Sequence, residues 1–320
     1  MDFADQIKLR TLPGIDIVMP TLNSEATLES CLKSIKNQIY SGRLNVIIVD
    51  GGSEDRTVEI ARRYNCTVYI QRGMYMNGTN GAYNFGIKHS NSDFIFIMDS
   101  DHILVGTNFF SKLIEPLIFD SSINLSVSVP VNSPHPACIE RFSIMKTTSI
   151  FQEMTKRGKK SGDFYIVDDL SYGLTNCVLS RRSDYLSIGV YVSDVSFLVA
   201  LRSKKLARAS INFNVNSYSP SLSYVEVLKK MYRRYKKVAS IIQDYEITYS
   251  GKISENLNTD LSAMGIFKNA IFTVYEFLRE RDMPHFCGMM SAFMPFLLVL
   301  IRPISSLKVY LKYLKKMFPN

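Results

Sequence analysis

The sequence predicts an α/β protein whose mainly parallel sheet is covered by helices on both faces. Short apolar strands alternate with helical patterns over the first hundred residues. These strands are apolar on both faces, which is typical of parallel strands buried between two layers of helices. Polar turns follow three of them, so polar side chains converge at the carboxyl edge of the sheet, where such folds bind ligands.

The first half of the chain consists of strand–helix pairs. A strand at residues 15–19 is expected to stop at Pro20, and Asn23 or Ser24 is expected to cap the following helix. The segment "LNVIIVDGGSEDRTVEIARRY" repeats the pattern, with a helix opened by residues 53–55. A short strand in "CTVYI" and a helix in "GAYNFGIKHS" then lead to a strand at residues 94–98.

The middle of the chain continues the same alternation less regularly. "INLSVSVPV" predicts a strand, and "SIMKTTSIFQEMTKRGKKSG" predicts a helix followed by a basic loop. A further strand, a short helix, a loop around Gly189 and a helix starting near Ser193 complete the predicted domain.

Composition excludes several classes of protein. The 320-residue chain is 46% hydrophobic with a net charge of +9, which describes a folded basic protein. No nucleic-acid-binding signature is present, so nucleic acid is not an expected partner. The five cysteines are scattered without a C-x-x-C pair, which is typical of a reducing compartment. The charged N-terminus does not resemble a secretion signal.

The strand at residues 94–98 ends in two aspartates that flank a serine. A carboxylate is costly to bury unless it is paired or holds a cation. Asp99 and Asp101 would offer oxygen ligands to Mg²⁺ or Mn²⁺ and leave coordination positions for phosphate and water. A turn or helix cap is the alternative explanation. His102 follows directly, as a further ligand or as an ordinary loop histidine.

Five segments carry a family resemblance, in the order "IVMPTLN", "VIIVDGGSEDRT", "GAYNFGI", "FIMDSDH" and "LSRRSDYLSIGVYVSD". Together they resemble the inverting glycosyltransferases of family 2, and the resemblance covers residues 14–206. It implies a Rossmann-like GT-A domain, expected over residues 1–218. It also implies a nucleotide-sugar donor and Mg²⁺ or Mn²⁺ as cofactor.

The resemblance implies a role for each matching residue. Asp99 and Asp101 match the metal-binding D-x-D motif. Asp194 matches the catalytic base, with Ser193 where the family usually has glutamate, and a helix cap is its alternative role. Tyr83 stands where many relatives carry arginine or lysine. The residues expected to bind the donor are Pro20, Thr21, Asn23, Glu25, Asp50, Gly52, Asn84, Asp99 and Ser100.

Lysines and arginines are concentrated in residues 219–320, and this segment is predicted to be a membrane-associated region. A helical pattern at residues 222–237 combines an apolar stripe with many lysines and arginines, as in helices that lie on anionic membranes. The run at residues 283–301 is nearly uncharged but barely long enough to span a bilayer. Monotopic or re-entrant insertion is favoured, with a full span or a buried helix pair as alternatives. The expected location is the cytoplasmic side of the cell membrane.

These observations predict a metal-dependent inverting glycosyltransferase that acts on a saccharide acceptor, such as a polyprenyl-phosphate-linked or envelope glycan. The processive Q-x-x-R-W signature is absent, so one sugar per encounter is expected. One alternative is a nucleotidyltransferase on a related sheet, although "PTLNSEAT" stands where those enzymes have a basic glycine-rich loop. The other is a non-catalytic member that binds a nucleotide or a membrane partner.

Overall fold

A computed structural model describes residues 12–71, 79–134, 138–168, 177–189 and 194–219. The elements of the first half are β1 (Ile15–Thr21), α1 (Glu25–Lys36), β2 (Leu44–Asp50), α2 (Thr57–Arg63), β3 (Thr67–Ile70), α3 (Thr79–Lys88) and β4 (Phe94–Ile97). Those of the second half are β5 (Ile103–Leu104), α4 (Phe109–Phe119), β6 (Leu125–Pro130), α5 (Cys138–Lys156), β7 (Lys159–Ser161), β8 (Phe164–Val167), β9 (Val178–Arg181), α6 (Arg182–Ile188), α7 (Asp194–Ser203) and β10 (Ala209–Tyr218).

The described residues end at residue 219. The predicted membrane-associated region after that residue, including the nearly uncharged run at residues 283–301, therefore lies outside them. Among the helices that the structure describes, none combines the length and the apolar character needed to cross a bilayer. The boundary at residue 218 and the membrane association of the C-terminal region therefore stay predictions.

The described strands form one mixed sheet in the order β3-β2-β1-β4-β9-β6-β10-β8-β7, with β5 paired to β10. The strands β3, β2, β1 and β4 are parallel, as predicted, and β6 is parallel to β10. The prediction of a mainly parallel sheet is wrong for the second half. There β9 runs antiparallel between β4 and β6, and β8 and β7 add an antiparallel edge. Apolar patterning reports the burial of a strand but not its direction.

Helices cover both faces of the sheet, as the strand pattern predicts. Alternate residues of β1 and β4 point to opposite faces. The cluster on one face joins the strands to α1, α2 and α4 and includes the buried residues Ile17, Met19, Leu28, Phe96 and Phe110. The cluster on the other face joins them to α3, α5, α6 and α7 and includes Val18, Tyr83, Ile97, Tyr185 and Phe197.

Pro20 does not end the first strand, which continues to Thr21, and the expectation that it would is wrong. The Val18 carbonyl accepts a hydrogen bond from the Met98 amide on the β4 side of β1. Pro20, two residues on, faces that same side, where β4 has already ended at residue 97. Its missing N–H therefore costs no ladder hydrogen bond.

Two other local predictions are also corrected. Helix α2 begins at Thr57 instead of residues 53–55, because the Asp55 carboxylate accepts hydrogen bonds from the Thr57 amide and hydroxyl in a turn ahead of the helix. The predicted basic loop contains β7, which pairs antiparallel with β8.

Asp16 anchors the amino end of β1, at the edge opposite to the predicted site. Its side chain is 1% exposed. The carboxylate accepts hydrogen bonds from the Asn91 amide at 2.7 Å and from the Ser92 amide and hydroxyl, each at 2.9 Å. The Asn45 side-chain amide donates a further bond at 3.1 Å. These bonds tie the α3–β4 turn to β1 and β2, and so help to align β4 with β1.

The same bonds determine the charge of Asp16. Burial by itself raises the pKa of this carboxyl, but the hydrogen bonds from Ser92, Asn91 and Asn45 outweigh burial and hold the pKa below its ordinary value. A lowered folded-state pKa stabilises the fold above the unfolded-state pKa of about 3.9, and this stabilisation is lost as pH falls through the folded-state value.

We expect Asp16→Asn to lower the free energy of unfolding by about 1–3 kcal/mol at pH 7, because one amide NH₂ would face N–H donors. Urea denaturation measures this loss. The difference from wild type should shrink as pH falls through the lowered folded-state pKa and Asp16 becomes protonated. The control is Glu59→Gln, whose carboxylate is 63% exposed and should change stability little. An equal loss at acidic and neutral pH would contradict this account.

Candidate active site

The loops after β1, β2 and β4 meet at one edge of the sheet, because these three parallel strands all end there. The Gly51 amide donates to the Thr21 carbonyl at 2.9 Å and joins the first two loops. The Ser100 hydroxyl, which is buried, donates to the Ser24 hydroxyl at 3.0 Å and joins the third loop to the first. The predicted edge therefore exists and brings the three acidic or polar turns together.

Asp50 is wholly buried at the end of β2. One carboxylate oxygen accepts hydrogen bonds from the Gly52 and Ser53 amides at 2.9 and 2.8 Å. The other accepts from the hydroxyls of Thr21 at 2.8 Å and Ser53 at 2.6 Å. Gly52 has a φ of 97°, which suits glycine and lets the turn fold back onto the carboxylate. A donor base could reach Asp50 only by displacing one of the hydroxyls.

The loops after β1 and β2 are also tied by side chains at the surface. The Asn23 amide donates to the Ser53 hydroxyl at 2.8 Å, and its side-chain oxygen accepts from the Glu54 amide at 2.9 Å. The Glu25 carboxylate accepts from the Arg56 amide at 2.9 Å. Asn23 and Glu25 thus lie at the predicted edge, where their contact with a donor stays a prediction.

Asp99, Asp101 and His102 form a compact cluster after β4. Each offers one ligand atom, and these atoms lie within 4.8 Å of one another. All three side chains are half-buried. Two carboxylates and an imidazole at this spacing could hold a divalent cation and still leave it open to solvent on one side. The structure therefore brings together the two aspartates predicted to bind metal.

Tyr83 holds one member of this cluster. Its side chain is 1% exposed, and its hydroxyl donates to the Asp99 carboxylate at 2.7 Å. Many relatives have arginine or lysine at this position. This chain instead has the neutral hydroxyl of Tyr83, which donates a hydrogen bond to Asp99, a predicted metal ligand. Asn84, the neighbouring residue on α3 and a predicted donor contact, is half-buried.

The imidazole of His102 has neighbours on both sides of the ring, which the sequence did not predict. Its Nδ1 lies 3.4 Å from the Cys177 Sγ, and its Nε2 lies 3.9 Å from an Asp101 carboxylate oxygen. Burial lowers the pKa of His102, whereas Cys177, Asp101 and Asp99 raise it, and the net direction is upward. Sequence reasoning missed Cys177, because no spacing pattern relates residues that lie 75 positions apart.

Asp194, the predicted catalytic base, is the first residue of α7. Its placement on the backbone agrees with a helix start near Ser193, and its side chain lies outside the described contacts. The structure therefore brings together the residues from β1, β2 and β4, and the role of Asp194 stays a prediction.

The sequence model of Glycosyl transferase family 2 matches residues 16–186, which is more than half of the chain. The chain belongs to this family. The resemblance of its five segments to family 2 is thereby confirmed. The matched range includes β1, β2, β4 and the Asp99–Asp101 turn, and it ends before Asp194.

Curated relatives in this family match over limited stretches. The glycosyltransferase AglE of Haloferax volcanii is 31% identical over 96 residues, which cover 28% of this chain and 31% of the relative. The GalNAc(5)-diNAcBac-PP-undecaprenol beta-1,3-glucosyltransferase of Campylobacter jejuni is 30% identical over 100 residues, covering 30% and 32%. The chain thus spans about a third of the length of these two relatives.

Two solved structures also align with part of this chain. Glucosyl-3-phosphoglycerate synthase from Mycobacterium tuberculosis, in complex with Mn²⁺ and UDP-glucose, aligns with a TM-score of 0.45 and 19% identity over 67% of this chain and 74% of that chain. S. aureus TarS 1-349 aligns with a TM-score of 0.47 and 18% identity over 65% and 60%. The family assignment rests on the sequence match and not on these alignments.

We expect Tyr83→Phe to weaken Mn²⁺ binding about tenfold, because the Asp99 carboxylate would lose the donor that orients it. Isothermal titration calorimetry with Mn²⁺ measures the change. The matched control is Tyr185→Phe, which removes another buried hydroxyl, one that donates to the Val178 carbonyl at 3.2 Å. Both variants should lose about 1 kcal/mol of stability. Equal Mn²⁺ affinity in the two variants would contradict the role given to Tyr83.

Proposed function

We propose that this glycosyltransferase moves one sugar at a time from a nucleoside-diphosphate sugar to an acceptor hydroxyl, with inversion and with the help of Mg²⁺ or Mn²⁺. The proposal is supported mainly by the convergence of Asp99, Asp101 and His102 at the carboxyl edge of the sheet, where the Ser100 hydroxyl joins their turn to the loop after β1. Family membership favours glycosyl transfer over the nucleotidyltransferase alternative.

The residues at this edge suit the cation that the family implies. Asp99 and Asp101 would hold it, since carboxylates are the oxygen ligands that Mg²⁺ and Mn²⁺ prefer. A bound divalent ion supplies positive charge that stabilises the departing diphosphate. Thr21, Asn23 and Asp50 would border the nucleotide, on the loops that hydrogen bonds hold against the Asp99–Asp101 turn.

Asp194 supplies the base in this proposal. Inversion requires one carboxylate on the acceptor side to take the proton of the attacking hydroxyl, while the leaving diphosphate needs no protein acid. The place of Asp194 at the start of α7, five positions after Gly189, supports this role. The missing Q-x-x-R-W signature, in a chain without tryptophan, supports transfer of a single sugar per encounter.

A lipid-linked saccharide is the acceptor that we propose. The Campylobacter jejuni relative is named for a saccharide substrate carried on PP-undecaprenol. The basic and apolar residues of the C-terminal third also support contact with an anionic membrane. We further propose that the enzyme lies at the cytoplasmic side of the cell membrane, as a peripheral or monotopic protein, where a cytosolic nucleotide-sugar donor could reach it.

Binding of nucleoside diphosphates tests the donor site. We expect one of UDP, GDP, CDP and dTDP to bind in calorimetric titrations only when Mn²⁺ is present. Asp101→Ala should weaken that binding by at least about tenfold, because it removes a metal ligand. The matched control is Asp163→Ala, which changes an exposed aspartate in the β7–β8 turn. Metal-independent binding, or binding that survives Asp101→Ala, would overturn the proposed donor site.

Transfer to a lipid-linked acceptor tests the base and the acceptor together. We expect Asp194→Asn to slow transfer of labelled sugar to a polyprenyl-diphosphate saccharide by at least about 100-fold, since the general base would be lost. Metal-dependent nucleotide binding should be unchanged. Unreduced transfer by this variant would remove Asp194 from the mechanism, and transfer by the wild type to soluble sugars alone would contradict the lipid-linked acceptor.

A further inference from the structure

His102 is held in one orientation by contacts on both sides of its ring. Its side chain is 14% exposed. Nδ1 lies 3.4 Å from the Cys177 Sγ, and Nε2 faces the carboxylates, 3.9 Å from an Asp101 oxygen. The backbone also ties this residue to the turn, because the His102 amide donates to the Asp99 carbonyl at 3.3 Å.

Cys177 is itself fixed in the sheet. Its side chain is 2% exposed, its amide donates to the Ile97 carbonyl at 2.8 Å, and its φ of +60° is unusual for a residue with a side chain. The Ser217 hydroxyl donates to its Sγ at 3.5 Å, and the Ser128 hydroxyl lies 3.4 Å from that of Ser217. A series of polar contacts therefore connects Ser128 in β6 with Ser217 in β10, then with Cys177 and the His102 imidazole.

This arrangement determines which ring nitrogen can act as a ligand. When Nδ1 carries the hydrogen and donates it to the sulfur, Nε2 keeps its lone pair on the side of the ring that lies 3.9 Å from an Asp101 carboxylate oxygen. Histidines that bind metals commonly have their second ring nitrogen held in this way by a neighbouring acceptor.

We propose that the His102 Nε2 is a third protein ligand of the divalent ion, and that Cys177 is a positioning residue that fixes the ring and its tautomer. This inference rests on the proposed function, because it concerns the same cation. It also gives the site a metal preference. An imidazole ligand favours transition metals such as Mn²⁺ and Co²⁺ over Mg²⁺, which binds oxygen ligands and keeps its waters.

Binding of metal ions alone tests the inference without any enzymatic assay. The full-length protein is titrated with Mn²⁺ and with Mg²⁺, and the visible absorption of the Co²⁺ form is recorded. His102→Asn and His102→Gln should each weaken Mn²⁺ binding about tenfold or more, change Mg²⁺ binding much less, and alter the Co²⁺ spectrum. Thermal melting checks that each variant is folded. His89→Asn, at an exposed histidine that contacts the Phe85 carbonyl, is the matched control.

Cys177 variants test the positioning role. Cys177→Ala should weaken Mn²⁺ binding about tenfold. Cys177→Ser keeps an acceptor for Nδ1 and should retain most of the Mn²⁺ affinity. The control is Cys66→Ala, at a half-buried cysteine directly before β3, which should not change the Mn²⁺ affinity. Equal Mn²⁺ affinity of Cys177→Ala and wild type would overturn the positioning role.

The outcomes separate this inference from the proposed function. If the wild type binds Mn²⁺ and both His102 variants bind it equally well with the same preference over Mg²⁺, the third ligand is overturned and the aspartate site stands. If the wild type binds none of the three ions, both the metal-dependent function and the third ligand are overturned.

Discussion

The buried carboxylate of Asp50 governs how the functional edge is assembled. A charged group without access to water must be satisfied by hydrogen bonds, and its four bonds come from Thr21 and from the turn after β2. This requirement draws the loops after β1 and β2 into one unit. Ser24, at the end of the first of these loops, then meets Ser100 in the turn after β4. The Asp99–Asp101 turn is thereby held against the other two loops.

The acids of this domain fall into two groups with different surroundings. Asp16 and Asp50 are buried, accept several hydrogen bonds each, and organise opposite ends of β1. Asp99 and Asp101 are half-buried and lie close to each other and to a histidine. Two carboxylates at such spacing repel each other unless positive charge lies between them. The second group is therefore the one suited to binding a cation.

Much of this arrangement could be predicted from the sequence because it depends on local patterns. The apolar strands before Asp50 and Asp99, each followed by a polar turn, predicted the parallel half of the sheet and its ligand-binding edge. The family resemblance likewise depended on short segments in order. Both kinds of signal lie within a few residues of the groups they describe.

What the sequence did not predict depends on contacts between distant residues. The antiparallel position of β9 between β4 and β6 is a matter of strand direction, which hydrophobicity does not encode. Pro20 remains within β1 only because β4 ends before reaching it. The contacts of Tyr83 with Asp99 and of Cys177 with His102 join separate elements, and no spacing in the sequence relates them. These contacts decide how the side chains of Asp99 and His102 are oriented.

The proposed function depends on a divalent cation held by the turn after β4. The most direct measurement is anomalous X-ray diffraction from crystals of the full-length protein grown with Mn²⁺ and the nucleoside diphosphate that binds it. The account predicts an anomalous peak within coordination distance, about 2.0–2.4 Å, of a carboxylate oxygen of Asp101, with the diphosphate on its open side. A bound nucleotide with no anomalous peak near Asp99 and Asp101 would contradict it.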